Sequence, residues 1–508
     1  MLLRRRFWLP SCTFLIRTAP KLALPSRHSP ILPLAPGTGC ARQMISSKRK
    51  APPSQSSTPA KKRPKPDIPE YHTTPSVKED DGSIQWPAPR SQIDKARSII
   101  VESAEAKGNI VLVPDKDADG LSAGAILQHT LLLLGVSPER IKTHLLTKGT
   151  TVHSDVERQR LASLNPEYVF VIDQGSRPGP PIVDVPHTGL VIDHHFATPS
   201  DFPERSNHVT ACHSPPVATS ALLTYHICET LHPEVASKCD WLCVVGTHGD
   251  LGTTLKWSDP FPDMTSTFKK YKKKVLNDVV SLVNAPRRTA TYDVRSAWEA
   301  LSKTDDPASV LNNPRLLDAR AEVNAEVERC THAAPKFSSD GKVAVFRIRS
   351  EAQVHPVIAT RWAGHLQSNK LEIVMVANEG YLEGKVNFSC RIARCARGRE
   401  IPVNIIESLK AYASLPEIVP VEEDGTTEEP PSMATVKPTL LERMGENFAR
   451  GHVQASGGIV ATEDFEELMK RMEVGVKKAN DSGPSKNKMK ESPAKQKNTL
   501  LTYFKKSE

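Results

Sequence analysis

From Gln92 onward the chain alternates between two hydrophobic rhythms. Residues 92–107 place apolar side chains at helical spacing, and Asn109–Val113 follows as a continuous apolar run. A short run of that kind is the pattern of a strand buried on both faces. Leu121 to Leu134 returns to the helical rhythm and stops at Gly135, with Pro138 beyond. A glycine and then a proline are suitable helix terminators. Further strand-like runs are Tyr168–Ile172, Gly189–Ile192 and Trp241–Val245, and a helix is expected over Ala218–Leu231. Strands alternating with helices predict an α/β domain on a mostly parallel sheet. Ligands of such sheets sit beyond the carboxyl ends of the strands, so the residues just after each run are the informative ones.

Those residues are acids and histidines. The first run ends in Asp115, Asp117 and Asp119, followed by Gly120; Asp173 follows the second, in VFVIDQGSR. The third is followed by Asp193, His194 and His195, in LVIDHH, and Asp250 follows the fourth, in VVGTHGDLG. Carboxylates crowded together repel, and a bound cation relieves the repulsion. An EF-hand calcium loop opens similarly but closes with Glu at its twelfth position; counting from Asp115, that position is Ile126. A solvated acidic turn is the plain alternative for the first cluster alone. A carboxylate-rich set with one or two imidazoles fits Mn²⁺ or Mg²⁺ better than structural zinc. His248 is expected to be a bystander.

Composition enlarges the picture at the two ends. The 508 residues include 42 prolines, carry a formal net charge of +9 and are 38% hydrophobic, which predicts folded domains joined to disordered segments. The charge permits polyanion binding. Nine cysteines without a CxxC pair fit a reducing compartment. No apolar run approaches the ~20 residues of a membrane span. Residues 1–66 contain no Asp or Glu and begin with an Arg-rich, apolar stretch like a mitochondrial transit peptide. Lys48-Arg49-Lys50 and Lys61-Lys62-Arg63 are spaced as a bipartite nuclear signal for an import receptor, with Met44 just before them. Two start sites are therefore expected, a longer mitochondrial form and a nuclear form from Met44.

The motifs DxDxDG, IDxG, DHH and GTxxD together resemble the DHH phosphoesterase superfamily, and in particular its RecJ-like single-strand exonucleases. The resemblance continues in Val283–Arg288 (VNAPRR), Val354-His355-Pro356, Asn387–Arg391 (NFSCR) and Arg450–Gly458 (RGHVQASGG), the last three similar to the associated DHHA1 domain. It covers roughly residues 90–475. It implies a mostly parallel-sheet catalytic domain at 84–300, a connector at 301–340 and a smaller α/β DHHA1 domain at 341–475. It implies two metal ions, with Asp117 and Asp119 one on each, Asp173 bridging, His194 and Asp250 completing the second and Asp115 assisting the first. His195 would not ligate metal; it would contact the scissile phosphate or help the leaving group. Arg287, Ser389, Arg391, Gly451 and His452 would hold substrate phosphate. Two departures stand out: Asp115 and Val113 occupy positions where relatives commonly carry His, and Arg450 replaces the first glycine of a Gly-Gly-His loop.

Three readings of function follow: a nuclease on single-stranded DNA or RNA, a phosphodiesterase of short oligonucleotides or other small phosphates, and a non-catalytic replication scaffold. The Lys269–Lys274 run (KKYKKK) reads equally as a backbone-tracking patch or a solvated face. An acidic, Pro/Thr-rich stretch at 414–437 is expected to be a disordered insert, as are residues 1–83 and 476–508. In the tail, Leu500, Tyr503 and Phe504 are spaced as in a sliding-clamp (PCNA) interaction peptide, although Lys497 stands where that peptide wants Gln.

Overall fold

A computed structural model describes residues 74–416, 438–445, 448–452 and 454–476. The leader, the body of the acidic insert and the tail with Leu500, Tyr503 and Phe504 lie outside them. The chain divides into two units, Met1–Pro66 and Asp67–Glu508, and every described residue belongs to the second.

The first half runs α1 (Arg90–Glu105), β1 (Asn109–Pro114), α2 (Ala118–Leu133), β2 (Ile141–Thr143), α3 (Asp155–Ser163), β3 (Pro166–Ile172), β4 (Thr188–Asp193), β5 (Ser206–Thr210), α4 (Ser220–Cys228), α5 (Glu234–Leu251), α6 (Thr265–Tyr271) and α7 (Lys273–Val283). Its five strands form one parallel sheet in the order β2-β1-β3-β4-β5. Alternate residues face alternate cores. Ile110, Leu112, Phe170, Ile172, Leu190 and Ile192 pack into the larger core with α1, α2, α4 and α5. Val111, Val113, Val169, Val171 and Val191 pack into a second core on the opposite face. Burial on both faces explains why these strands read as unbroken apolar runs.

One expected strand is a helix. Trp241–Val245 lies inside α5, so Asp250 sits on the last turn of a helix and not after a strand. Val235, Cys239, Trp241, Leu242, Cys243, Val244 and Val245 are all buried, because α5 packs against α2, α4 and α7. A helix apolar on every side produces the same run as a buried strand.

The second half runs α8 (Val294–Ser302), α9 (Pro307–Leu311), α10 (Pro314–Cys330), β6 (Lys336–Phe337), β7 (Val343–Ile348), α11 (His355–His365), β8 (Ile373–Leu382), β9 (Lys385–Ile392), α12 (Ile405–Ala413), α13 (Leu440–Met444), β10 (Arg450–His452), β11 (Ala455–Ala461) and α14 (Thr462–Arg471). Its six-stranded sheet has the order β10-β11-β9-β8-β7-β6, antiparallel except for the β7–β8 pair. One face carries Val345, Met375, Phe388 and Cys390 toward α12 and α14. The other carries Phe346, Val374 and Val376 toward α10 and α11. The seven cysteines among the described residues are unpaired. No helix among them is long and apolar enough to cross a membrane.

Candidate metal centre

The turn from β1 into α2 is built by its own aspartates. Asp117 caps α2: its Oδ1 accepts from the backbone N–H of Asp119 (3.1 Å) and Gly120 (3.3 Å). Gly120 has to be glycine here, since a Cβ would fall 2.8 Å from the backbone N and O of Asp115. Asp115 accepts from its neighbour Lys116 at 3.1 Å. Asp119, inside the first turn, is completely buried. Its two oxygens accept from the backbone N–H of Ser220 (2.8 Å) and Ala221 (2.9 Å), the first amides of α4. A helix N-terminus favours an anion. Gly246 of α5 keeps this space open: a Cβ there would stand 2.3 Å from Ala221 Cβ and 3.0 Å from Asp119 Oδ1.

Asp173 leaves β3 with φ +62°. Left-handed backbone is uncommon for a residue with a side chain and clusters at functional sites. Its Oδ1 accepts from Ser220 Oγ at 2.9 Å, so Ser220 ties Asp119 and Asp173 together. At the end of β4, Asp193 Oδ1 accepts from the backbone N–H of His194 (2.8 Å) and His195 (3.2 Å) and lies 2.8 Å from His195 Nδ1. Its other oxygen accepts from Ser176 N–H at 3.2 Å. Burial opposes the Asp193 charge, but these bonds, led by His195, hold its carboxyl down at about 2. Burial likewise opposes a charged His195, and Asp193 outweighs it, raising the ring to about 9. Asp193 is therefore the ionised acceptor that orients His195.

His194 points the other way. Its Nε2 lies 3.1 Å from Asp250, 3.4 Å from Asp173 and 3.9 Å from Asp119, yet it is buried without an aligned hydrogen bond to any of them. A ring nitrogen ringed by carboxylates at such separations has the arrangement of co-ligands around a cation. Three sets of potential ligand atoms fall within 4.8 Å of one another: Asp115/Asp117/Asp173, Asp119/His194/Asp250 and Asp173/His194/His195. Asp173 belongs to the first and third, touching both acidic sets through His194. Burial, with Asp250 next, pushes Asp119 up to about 7. Burial and then Asp119 push Asp173 well above the carboxylate range. Despite its burial, His194 is raised by Asp173 and Asp250. The cluster therefore holds protons where a cation would otherwise neutralise it. Oxygen-rich donors with one imidazole fit a hard divalent ion.

Facing this acidic pole is a basic one. Asn284 Oδ1 accepts from Ala118 N–H (3.3 Å) and Arg287 Nε (3.1 Å), and Arg287 Nη2 stands 3.7 Å from Asp117. Arg287 thus belongs to the acidic pole. Its neighbour Arg288 turns toward the second sheet, and its carbonyl accepts from Gln353 N–H at 2.9 Å. Burial, then Arg287, lower Arg288; Asp117 partly offsets this, and Arg391 adds to it. Arg391 of β9 donates to Ser389 Oγ at 2.9 Å, and burial lowers it too. His355 is pushed down to about 3 by burial and then by Arg391 and Arg288, and its Nδ1 has no partner. Asn387 Oδ1 and Ser456 Oγ are also buried without partners. Across β11, the backbone places Gly451 opposite Ser456 and His452 opposite Ala455, while Ala455 in turn faces Arg391.

The remaining expected residues fall as follows. His248 lies between Asn277 (2.9 Å) and the Trp257 indole (3.1 Å) and takes no part in the acidic sets. The KKYKKK run spans the break between α6 and α7. Sequence reasoning missed Ser220, whose local signal is the Thr219-Ser220 pair at a helix start. Asn284, Arg288 and His355 lay inside the VNAPRR and Val354-His355-Pro356 motifs but were not named as site residues.

No protein-family model matches the sequence, and no curated protein matches it. Solved structures do. RecJ from Thermus thermophilus in complex with Mn²⁺ superposes with a TM-score of 0.51 at 16% identity, over 77% of this chain and 55% of that one. The DHH domain of a member of a ribosomal protein family superposes with a TM-score of 0.52 at 13% identity, over 76% of this chain and 90% of that one. The chain carries the DHH fold. It spans about half the length of the RecJ chain. At these identities the likeness is one of fold; the geometry of this chain gathers Asp115, Asp117 and Asp173 in one set of potential ligands and Asp119, His194 and Asp250 in another.

Proposed function

We propose that this DHH-fold chain is a divalent-metal-dependent phosphodiesterase, and specifically a RecJ-like exonuclease on single-stranded DNA. The observation that carries the reading is the opposition of two clusters of opposite charge. One is acidic and needs cations; the other is basic and needs an anion. A phosphodiester held between them satisfies both. Asp115, Asp117 and Asp173 would hold one Mn²⁺ or Mg²⁺, and Asp119, His194 and Asp250 a second, with Asp173 shared. When bound, such ions supply Lewis acidity and acidify water at neutral pH. The chain supplies the rest. Ser220 and the first amides of α4 fix Asp119 and Asp173. Water adds to phosphorus and gives up a proton to solvent, the P–O bond to the leaving nucleoside breaks, and the leaving oxygen needs a proton. His195, held by Asp193 through Nδ1 and charged at neutral pH, donates it from Nε2. Arg288, Arg391, Ser389 and the Gly451-His452 strand would grip a neighbouring phosphate.

The test is digestion of end-labelled single-stranded DNA, RNA and dinucleotides with Mn²⁺, with Asp173→Ala as control. Preferential loss of the DNA label is expected. Preference for dinucleotides would move the assignment to small substrates, and no metal-dependent cleavage by wild type would leave the scaffold reading. We also propose nuclear import through Lys48–Lys50 and Lys61–Arg63, a mitochondrial form from Met1, and clamp binding through Leu500, Tyr503 and Phe504. Imaging of Met44→Ala, and recovery of PCNA by wild type against Tyr503→Ala/Phe504→Ala, check these; unchanged distribution or equal recovery would refute them.

A further inference from the structure

The residue directly after His195 is Phe196, and its ring is 78% exposed, the most exposed aromatic among the described residues. Large apolar side chains are normally removed from water on folding. Single exceptions are ordinary on a plain surface, but this one sits one residue from the proposed proton donor, about 3.8 Å away along the chain. It is also held in place. Ala197, next in sequence, is buried, and its carbonyl accepts from the His213 ring Nε2 at 2.7 Å. The Cys212 thiol meets the same carbonyl at 3.6 Å. Ala211 N–H donates to Asp193 O at 3.1 Å, so the stretch carrying His213 is tied back to the end of β4. The His213 ring meets Phe196 edge-to-face, with centroids 5.8 Å apart at 73°. The loop therefore presents an aromatic ring to solvent, backed by His213, on the residue that directly follows His195.

We infer that Phe196 is a stacking platform for a nucleobase of the substrate, the base on the nucleoside beside the scissile phosphate. The inference rests on the phosphodiester reading above. It deepens that reading: the ring selects a substrate bearing a base over a bare phosphodiester. Stacking on a phenyl ring uses the π-face common to all bases, so it confers no preference among sequences. Such a contact is present before and during the reaction, so its loss raises KM and leaves kcat unchanged.

The test is a two-by-two comparison. Wild type and Phe196→Ala are assayed with Mn²⁺ on a single-stranded oligonucleotide and on the same strand with an abasic tetrahydrofuran residue at the cleaved end. Phe196→Ala should raise KM for the intact strand roughly 5- to 150-fold. The abasic residue should cost wild type a similar factor and should cost the variant almost nothing more. Phe196→Trp should restore KM, while Phe196→Leu, equally apolar but without a π-face, should not. If the two losses multiply, or if Phe196→Ala leaves KM unchanged while wild type cleaves, the platform is refuted and the nuclease reading stands. If wild type cleaves neither strand, the phosphodiester reading itself fails. An exposed side chain outside the core can be truncated without unfolding the protein, and an unchanged Tm verifies this.

Discussion

The two sheets solve opposite electrostatic problems at the places where they face each other. In the parallel sheet, burial and mutual repulsion drive Asp119 and Asp173 above the carboxylate range. Around the mixed sheet, burial lowers Arg391, and burial with neighbouring arginines lowers Arg288 and His355 below their ordinary values. Each pole is costly alone, because uncompensated buried charge is expensive. Asp117 relieves part of the cost, beside Arg287 at 3.7 Å and acting on Arg288. On the proposed reading ligands supply the rest, metal on one side and phosphate on the other.

The sharpest way to break this contrast is at Asp173. Asparagine keeps the shape, tolerates left-handed backbone and can still accept from Ser220 Oγ. Asp173→Asn should cut turnover by on the order of 10³-fold or more, several kcal/mol of barrier. It should also raise the metal-free melting temperature by about 2–4 °C, because folding no longer has to protonate a buried, repelled carboxyl. Calorimetry without metal checks this; a lower melting temperature would mean that Asp173 is held by structural pairing instead.

The basic pole makes the next prediction. Arg391→Ala and Arg288→Ala should each raise KM for single-stranded DNA about 10- to 100-fold, the size of a lost charge-assisted contact. The metal-induced rise in melting temperature should not change. A variant that weakened both would show that the poles are one network.

These two poles were unequally legible in the sequence. The parallel sheet buries both faces of β1, β3 and β4, so the strands stand out as apolar runs and their terminal acids as contiguous motifs. β2 and β5 escaped because IKT is three residues long and SNHVT is mostly polar. Trp241–Val245 misled because α5 is buried on every side from Trp241 to His248, which erases the helical period there. Asp250 nonetheless reaches the centre, carried by a helix end in place of a strand end. The basic pole has no contiguous motif: Arg288, His355 and Arg391 come from three separated segments, and only the fold makes them neighbours. Arg287 was the expected phosphate ligand; its contacts are Asn284 and Asp117, and Arg288 lies within electrostatic reach of both Asp117 and Arg391.

Proton competition sharpens the acidic side. Without metal, Asp119 titrates at about 7, against 3.8 when unfolded. The folded state therefore keeps a proton that the unfolded chain has released, and metal-free stability falls as pH rises across that window, with the loss complete above about 7. A metal needs the carboxylate free. The stabilisation by Mn²⁺ should be larger at pH 8 than at pH 6, by about 1 kcal/mol for this one group. Equal stabilisation at both pH values would place Asp119 outside the ligand set.

The smallest effect concerns how the poles are held apart. Lys148, in the first half, donates to the Glu351 carbonyl at 2.8 Å and stands 4.2 Å above the Tyr381 ring in the second. Beside it, a Cβ on Gly149 would meet Leu382 at 3.0 Å, so the backbone approaches closely there. Lys148→Met keeps the apolar stem over the ring and removes the charge. Half-exposed cation–π and hydrogen-bond contacts of this kind contribute about 1 kcal/mol, so stability should fall by little more. Catalysis is the more telling readout. If one phosphodiester strand must touch both poles at once, loosening this contact should lower kcat/KM for a long strand about twofold to fivefold while leaving a dinucleotide unaffected, since each tenfold is only 1.4 kcal/mol. An equal loss on both substrates would mean that the spacing of the poles does not matter to the substrate, and that the two clusters bind their ligands independently.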